Sequence, residues 1–178
     1  MQQPPLVAIY LGNELLDRMR GAEKFREIGE LAAEWIVSLP IPVEMFFGPI
    51  TRGGILRKDP KTGMSGPSYR ENIRALQHSI EARQREGYIV LNQLVFQPLI
   101  DKHRKLWLAK HNRVPTTWHE PLKHEFYAPI LGTGRVSVGH FILDWKRGNG
   151  ARFAHEILTS QKKTTLEHPQ GSRQQLAA

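Results

Sequence analysis

Residues 43–54 read Val43-Glu44-Met45-Phe46-Phe47-Gly48-Pro49-Ile50-Thr51-Arg52-Gly53-Gly54, a short apolar run that empties into a glycine-bearing loop. The run is too short for a helix and predicts a buried strand, with Pro40 and Pro42 punctuating the chain just before it. Downstream, Ser68-Tyr69-Arg70-Glu71 has the form of a capping box, and Ile73, Leu76 and Ile80 then mark one helical face as far as Gly87. Tyr88-Ile89-Val90-Leu91 follows at once as a second buried strand. Strand, loop, helix and strand within about 50 residues is the pattern of a crossover between parallel neighbours.

The same pattern extends in both directions. Asn13 can cap one long helix to about Ser38, because Leu15, Met19, Ala22, Ile28, Leu31, Ala32, Trp35 and Ile36 recur at helical spacing. Residues 99–127 predict two shorter helices separated by Pro115 and Pro121, with Trp107, Trp118, Phe126 and Tyr127 as core contacts. Residues 136–143 predict a strand, 150–160 a helix and 164–166 a last short strand. The expected class is α/β: a three-layer, flavodoxin/Rossmann-like parallel sheet flanked by helices, with an extra N-terminal helix. One domain is expected over 1–168, its core at 43–167, with a polar tail over 169–178 expected to fray.

Composition narrows the functional classes. At 178 residues, 40% of them hydrophobic, the chain can bury one core without a second domain. It has no cysteine, which excludes disulfides, a thiolate nucleophile and cysteine-based zinc sites. The net charge of +8 attracts anions in general. Its basic residues are dispersed rather than gathered into a tail, so a solvated basic surface is favoured over nucleic-acid binding. No apolar run approaches the roughly 20 residues that span a bilayer, and no leader pattern is visible, so a cytoplasmic protein without membrane contact is expected.

In a parallel sheet, ligands collect where strands end and helices begin. Two segments qualify. In the first, Gly48 to Gly54, glycine permits close backbone approach and Arg52 offers a guanidinium for phosphate or carboxylate. The second is Arg147-Gly148-Asn149-Gly150-Ala151-Arg152, a glycine-rich lead into the last helix. Asp144, beside Trp145, is a further acid at a strand end, with a capping role as its plainer reading. The pairs His119-Glu120, His124-Glu125 and His155-Glu156 lack the spacing that sets two ligands on one helical face, so no metal is expected.

Taken in order, Phe47-Gly48-Pro49-Ile50-Thr51, Asn72, Gly87-Tyr88-Ile89-Val90-Leu91-Asn92 and Trp145-Lys146-Arg147-Gly148-Asn149-Gly150-Ala151-Arg152 resemble the nucleoside deoxyribosyltransferase-like family. The resemblance covers about residues 43 to 167. It implies a pocket for a nucleoside, a nucleotide or a related phosphorylated sugar, with no cofactor. The binding positions it implies are Gly48, Pro49, Thr51, Asn92, Gly150 and Ala151, and Arg52, Gly53, Trp145, Gly148 and Asn149 join them as candidates from the two glycine-bearing segments themselves. The implied chemistry is N-glycosidic cleavage or transfer, in which a helix glutamate attacks the anomeric carbon.

The departures are equally specific. The family's glutamate position falls on Ala154, its phosphate-binding serine on Gly148, and a first-strand tyrosine found in some members on Met45. Glu156 lies about 200° round the helix from position 154, and the periodicity turns Arg152, His155 and Glu156 outward from an inward face of Phe153, Ala154, Ile157 and Leu158. The expectation is therefore a nucleotide-binding protein whose inherited N-glycosidase chemistry is impaired, and in which Ala154→Glu should raise any cleavage rate. The alternatives are a non-catalytic ligand-binding or interaction module of the same fold, a homo-oligomer included, and a basic nucleic-acid-associated protein.

Overall fold

The computed structural model describes residues 13–48, 68–111, 119–142 and 145–168. Its centre is a four-stranded parallel sheet of β1 (Val43–Phe47), β2 (Val90–Leu91), β3 (Val136–Phe141) and β4 (Thr164–Glu167), in the order β2-β1-β3-β4. That order belongs to the flavodoxin-like doubly wound class, in which the first strand lies inside the second. The expected α/β architecture is thus the observed one.

Residues alternate between the two sides of each strand, and the two sides bury different partners. Met45, Phe47, Leu91 and Phe141 join the larger core, with helices on that side. Phe46, Val90 and Ile142 face the other way, against Leu76 and Ile80 of α3 (Ser68–Arg85). All five residues of β1 are buried, as a central strand covered on both faces requires. The second strand is shorter than the sequence suggests. Tyr88 stays exposed with the Arg83 guanidinium 3.2 Å above its ring, while Gly87, at φ 92°, turns the chain out of α3.

The single N-terminal helix expected over 13–38 is two helices, α1 (Asn13–Gly21) and α2 (Phe25–Ser38). Gly21 ends the first, and the Glu27 carboxylate accepts the backbone N–H groups of Glu23 and Lys24 at 3.0 and 3.3 Å, starting the second. The apolar period runs through this break because both helices pack on the same core.

After β2, a 3₁₀ turn (Gln93–Phe96) leads into α4 (Gln97–Lys110). Further on, α5 (His119–Pro121), a π-helical segment (Leu122–Tyr127) and α6 (Ala128–Gly132) follow one another without a gap, so Pro121 lies inside helix rather than between two. Pro129 explains the π segment: it has no N–H to give the Glu125 carbonyl four residues back, and the ladder widens so that Ala128 N–H reaches Lys123. Gly29 of α2 packs on that widened turn, so closely that a Cβ there would stand 2.1 Å from the Glu125 carbonyl oxygen. The last crossover is α7 (Asn149–Ser160), which returns the chain to β4. The capping side chain of Ser68, Trp118, the loop at 49–67 and the tail at 169–178 lie outside the described residues. Among the described residues no helix is long and apolar enough to cross a membrane.

Candidate functional site

Because β1, β2 and β3 are parallel neighbours, their carboxyl ends share one edge. Phe47 pairs with Phe141 at the ends of β1 and β3, and Ile142 N–H continues the ladder to the Phe47 carbonyl at 3.0 Å. Met45 pairs with Leu91, which ends β2. Gly48, Asn92 and Trp145 therefore leave the sheet on the same side, and Gly148 closes a short 3₁₀ turn there (Trp145–Arg147) before α7 starts. The structure brings these four expected residues to one edge. Pro49, Thr51, Arg52, Gly53 and Asp144 lie outside the described residues.

Several of these positions already have structural partners. The Asn92 side chain accepts Leu94 N–H at 3.1 Å and donates to Gln77 at 3.4 Å, which caps the turn after β2. Asn149 accepts a hydrogen bond from the Arg152 guanidinium. A Cβ on Gly150 would meet the Tyr127 ring at 3.0 Å, so glycine there admits an aromatic ring of the core. Tyr127 is itself buried, which pushes its phenol up to about 12. Ala151 belongs to the core, and Ala154 is 0% exposed within it.

His155, expected to face outward, is half-buried instead. It stacks on Trp145 at 4.6 Å between centroids and meets Phe141 edge-on at 4.9 Å. Its imidazole is flat and apolar enough to cover the tryptophan that closes β3. Glu156 is exposed, as the periodicity requires.

The most highly organised polar group in the described structure was not among the expected sites. Glu44 sits on the α3 side of β1, where Arg83 holds its carboxylate with two hydrogen bonds of 2.7 and 3.0 Å. His140 of β3, 3% exposed, places Nε2 2.8 Å from Glu44 Oε2 and Nδ1 3.1 Å from Nε2 of His168. Phe46 lies flat on the His140 ring at 4.3 Å and reaches His168 at 6.4 Å. Arg83 also binds Glu86 at 2.7 Å.

Burial acts on every member of this group. It would raise the Glu44 carboxyl, but the hydrogen bonds from Arg83 and His140 outweigh it and leave Glu44 below its ordinary value. It lowers His140 against the pull of Glu44, and it lowers His168 with help from His140 and Arg83. Because Arg83 already neutralises Glu44, His140 need not be a cation. A carboxylate only accepts, so the hydrogen of neutral His140 is on Nε2 and its Nδ1 accepts from His168 Nε2–H.

One sequence signal could have found this group. Glu44 and His140 each interrupt a strand whose neighbours are buried and apolar, and a charge in such a strand demands a partner. The other histidine pairs do less. His119, Lys123 and His124 surround Glu120 at 3.2, 3.1 and 3.4 Å on the surface. Among the described residues no three His, Cys, Asp or Glu side chains are placed to hold a metal ion. Compared with protein-family models, curated proteins and solved structures, the chain finds no match.

Proposed function

We propose that the protein binds a nucleoside, a nucleotide or a related phosphorylated sugar at the carboxyl edge of its sheet, and does so without a glycosyl-enzyme step. The reading rests on one observation: the ends of β1, β2 and β3 and the start of α7 open on the same edge. Ligands of parallel sheets collect at such an edge, and the motif resemblance supplies the ligand class. The burial of Ala154 favours binding over transfer, since a side chain at 0% exposure inside an apolar cluster does not meet a ligand. The cytoplasm is the proposed setting, in keeping with a chain free of cysteine.

The test is thermal unfolding of the full chain with nucleosides, nucleoside monophosphates, ribose 5-phosphate and a short oligonucleotide. A ligand at about 100 times its Kd should add about 2.7 kcal/mol. For a domain of this size that raises the Tm by roughly 5 to 10 °C. Arg52→Ala should weaken a monophosphate more than the matching nucleoside. No rise with any small ligand refutes the reading, and a rise with the oligonucleotide alone replaces it with nucleic-acid association.

A further inference from the structure

The last strand, β4, has β3 on one side and, among the described residues, no strand on the other. His168 N–H reaches the Phe141 carbonyl of β3 at 2.8 Å. By the alternation of a parallel ladder, Thr164, Leu166 and His168 therefore turn their backbone groups to β3. Thr165 and Glu167 turn theirs to the open side, as does the carbonyl of Lys163, whose own N–H is held by the Leu158 carbonyl at 2.9 Å. An open row of this kind is a template for another strand, and edge lysines ordinarily deter such pairing. Lys162 and Lys163 stand just before β4, but Glu167 ends it, so the strand is positive at one end and negative at the other. Between them Leu166 leaves 41% of its surface exposed.

We propose that β4 pairs with β4 of a second copy of this chain, antiparallel about a two-fold axis through Thr165, joining two four-stranded sheets into one. Reversing the second copy sets Thr165 opposite itself and Lys163 opposite Glu167 at both ends. These are the positions whose backbone groups face the open side. Thr165 N–H and C=O bond their own counterparts, and Glu167 N–H reaches the Lys163 carbonyl of the other copy. Side chains agree with this register on both faces. On the α7 side, where Leu158 packs on Gly139, the β3 neighbour of Thr165, the opposed pairs are Lys163 with Glu167 and Thr165 with Thr165, both of kinds that stabilise antiparallel strands. On the other side Leu166 lies opposite Thr164, and the two Leu166 side chains become diagonal neighbours that cover each other.

Charge complementarity selects a second copy and fixes its register. A parallel partner would set Lys163 beside Lys163 and Glu167 beside Glu167, where like charges repel. Sliding an antiparallel partner by two residues also loses the match: one direction sets Glu167 against Gln161 at the end of α7, and the other sets Lys163 against Pro169, which has no N–H. Both charged side chains are within reach of the partner from where they stand. Lys163 donates to the Gly134 carbonyl at 2.9 Å on the surface, and Glu167, 52% exposed, lies 3.5 Å from Lys146. A strand pair this short buries less than a standard stable interface, so the dimer is expected at micromolar concentration or above.

The test is sedimentation velocity of the full chain from about 5 μM to about 500 μM, over which monomer should give way to dimer. Thr165→Pro removes an outward N–H without touching the ladder to β3, and should leave a folded protein that stays monomeric throughout. Lys163→Glu and Glu167→Lys each set like charges opposite one another, and each alone should dimerise about tenfold more weakly than the wild type. An equimolar mixture of those two variants should recover the wild-type affinity, because the altered residue of one then meets its opposite charge in the other. In the unaltered protein the Thr165 and Glu167 amide protons should gain exchange protection as concentration rises. A monomer at every concentration, a dimer that survives Thr165→Pro, or a mixture no tighter than its components overturns the proposal. So does equal protection of the two amides at every concentration, which would mean that another segment of the same chain covers β4. No ligand enters this experiment, so its outcome is independent of the one assigned above.

Discussion

Removing Arg83 should reveal how the sheet tolerates a carboxylate. In Arg83→Met the methionine retains much of the stem packing, but Glu44 loses both guanidinium hydrogen bonds and keeps only His140. Breaking a buried pair by deleting one partner costs about 3 to 5 kcal/mol. Here the side chains are 24% and 10% exposed, so water relieves part of the penalty and about 2 to 3 kcal/mol is expected at pH 7. In a domain of this size that lowers the Tm by roughly 5 to 10 °C.

The sign of the pH dependence is diagnostic. In the wild type the lowered Glu44 adds stability that is present above its unfolded value and lost as pH falls through the folded one. In the variant, burial is no longer offset by Arg83, so the folded value rises and stability is lost as pH increases. The difference between the two proteins should therefore be small at pH 4 and widen towards pH 7, as read from urea unfolding midpoints. In the double variant Arg83→Met/Glu44→Gln the neutral amide needs no cation, and about half the lost stability should return. A double variant no more stable than Arg83→Met at pH 7 would refute the reasoning, because it would mean that Glu44 is not the group left without its partner.

Three further outcomes follow from particular contacts. Ala154→Glu puts a carboxyl into an apolar cluster where alanine is 0% exposed, and should cost about 2 to 4 kcal/mol without creating N-glycosidic cleavage. Unfolding midpoints and analysis for free base check both halves, and a stable variant that releases base would restore the glutamate reading of this position. Gly29→Ala meets the Glu125 carbonyl oxygen at 2.1 Å and should cost about 2 to 3 kcal/mol, seen as a lower Tm, since backbone cannot move aside as a side chain can; an unchanged Tm would show that α2 and the π-helical turn are not in contact. Stability should be greatest above about pH 6.5 and fall below it, because His140 and His168 have lowered folded values and the unfolded chain takes up protons first. A flat urea midpoint between pH 8 and pH 5 would contradict that.

The sequence by itself determined the parallel crossover, because the apolar run ending at Phe47, the helical face of Leu76 and Ile80, and the run ending at Leu91 are local patterns with distinct periods. It also set the direction of the sheet, and so the edge on which Gly48, Asn92, Trp145 and Gly148 emerge. It could not separate α1 from α2, since one apolar stripe serves two helices packed on one core and only Gly21 marks the break. Nor could it say which glycines admit ligand and which admit protein: Gly150 faces Tyr127 and Gly29 faces a carbonyl, neighbours distant in sequence. The row from Glu44 to His168 was decided by tertiary structure alone. Its members are 96 and 28 residues apart and meet only because β1, β3 and β4 are adjacent in the sheet. A local pattern can show that Glu44 and His140 are polar residues in buried strands, but strand order and register decide that each is the other's partner.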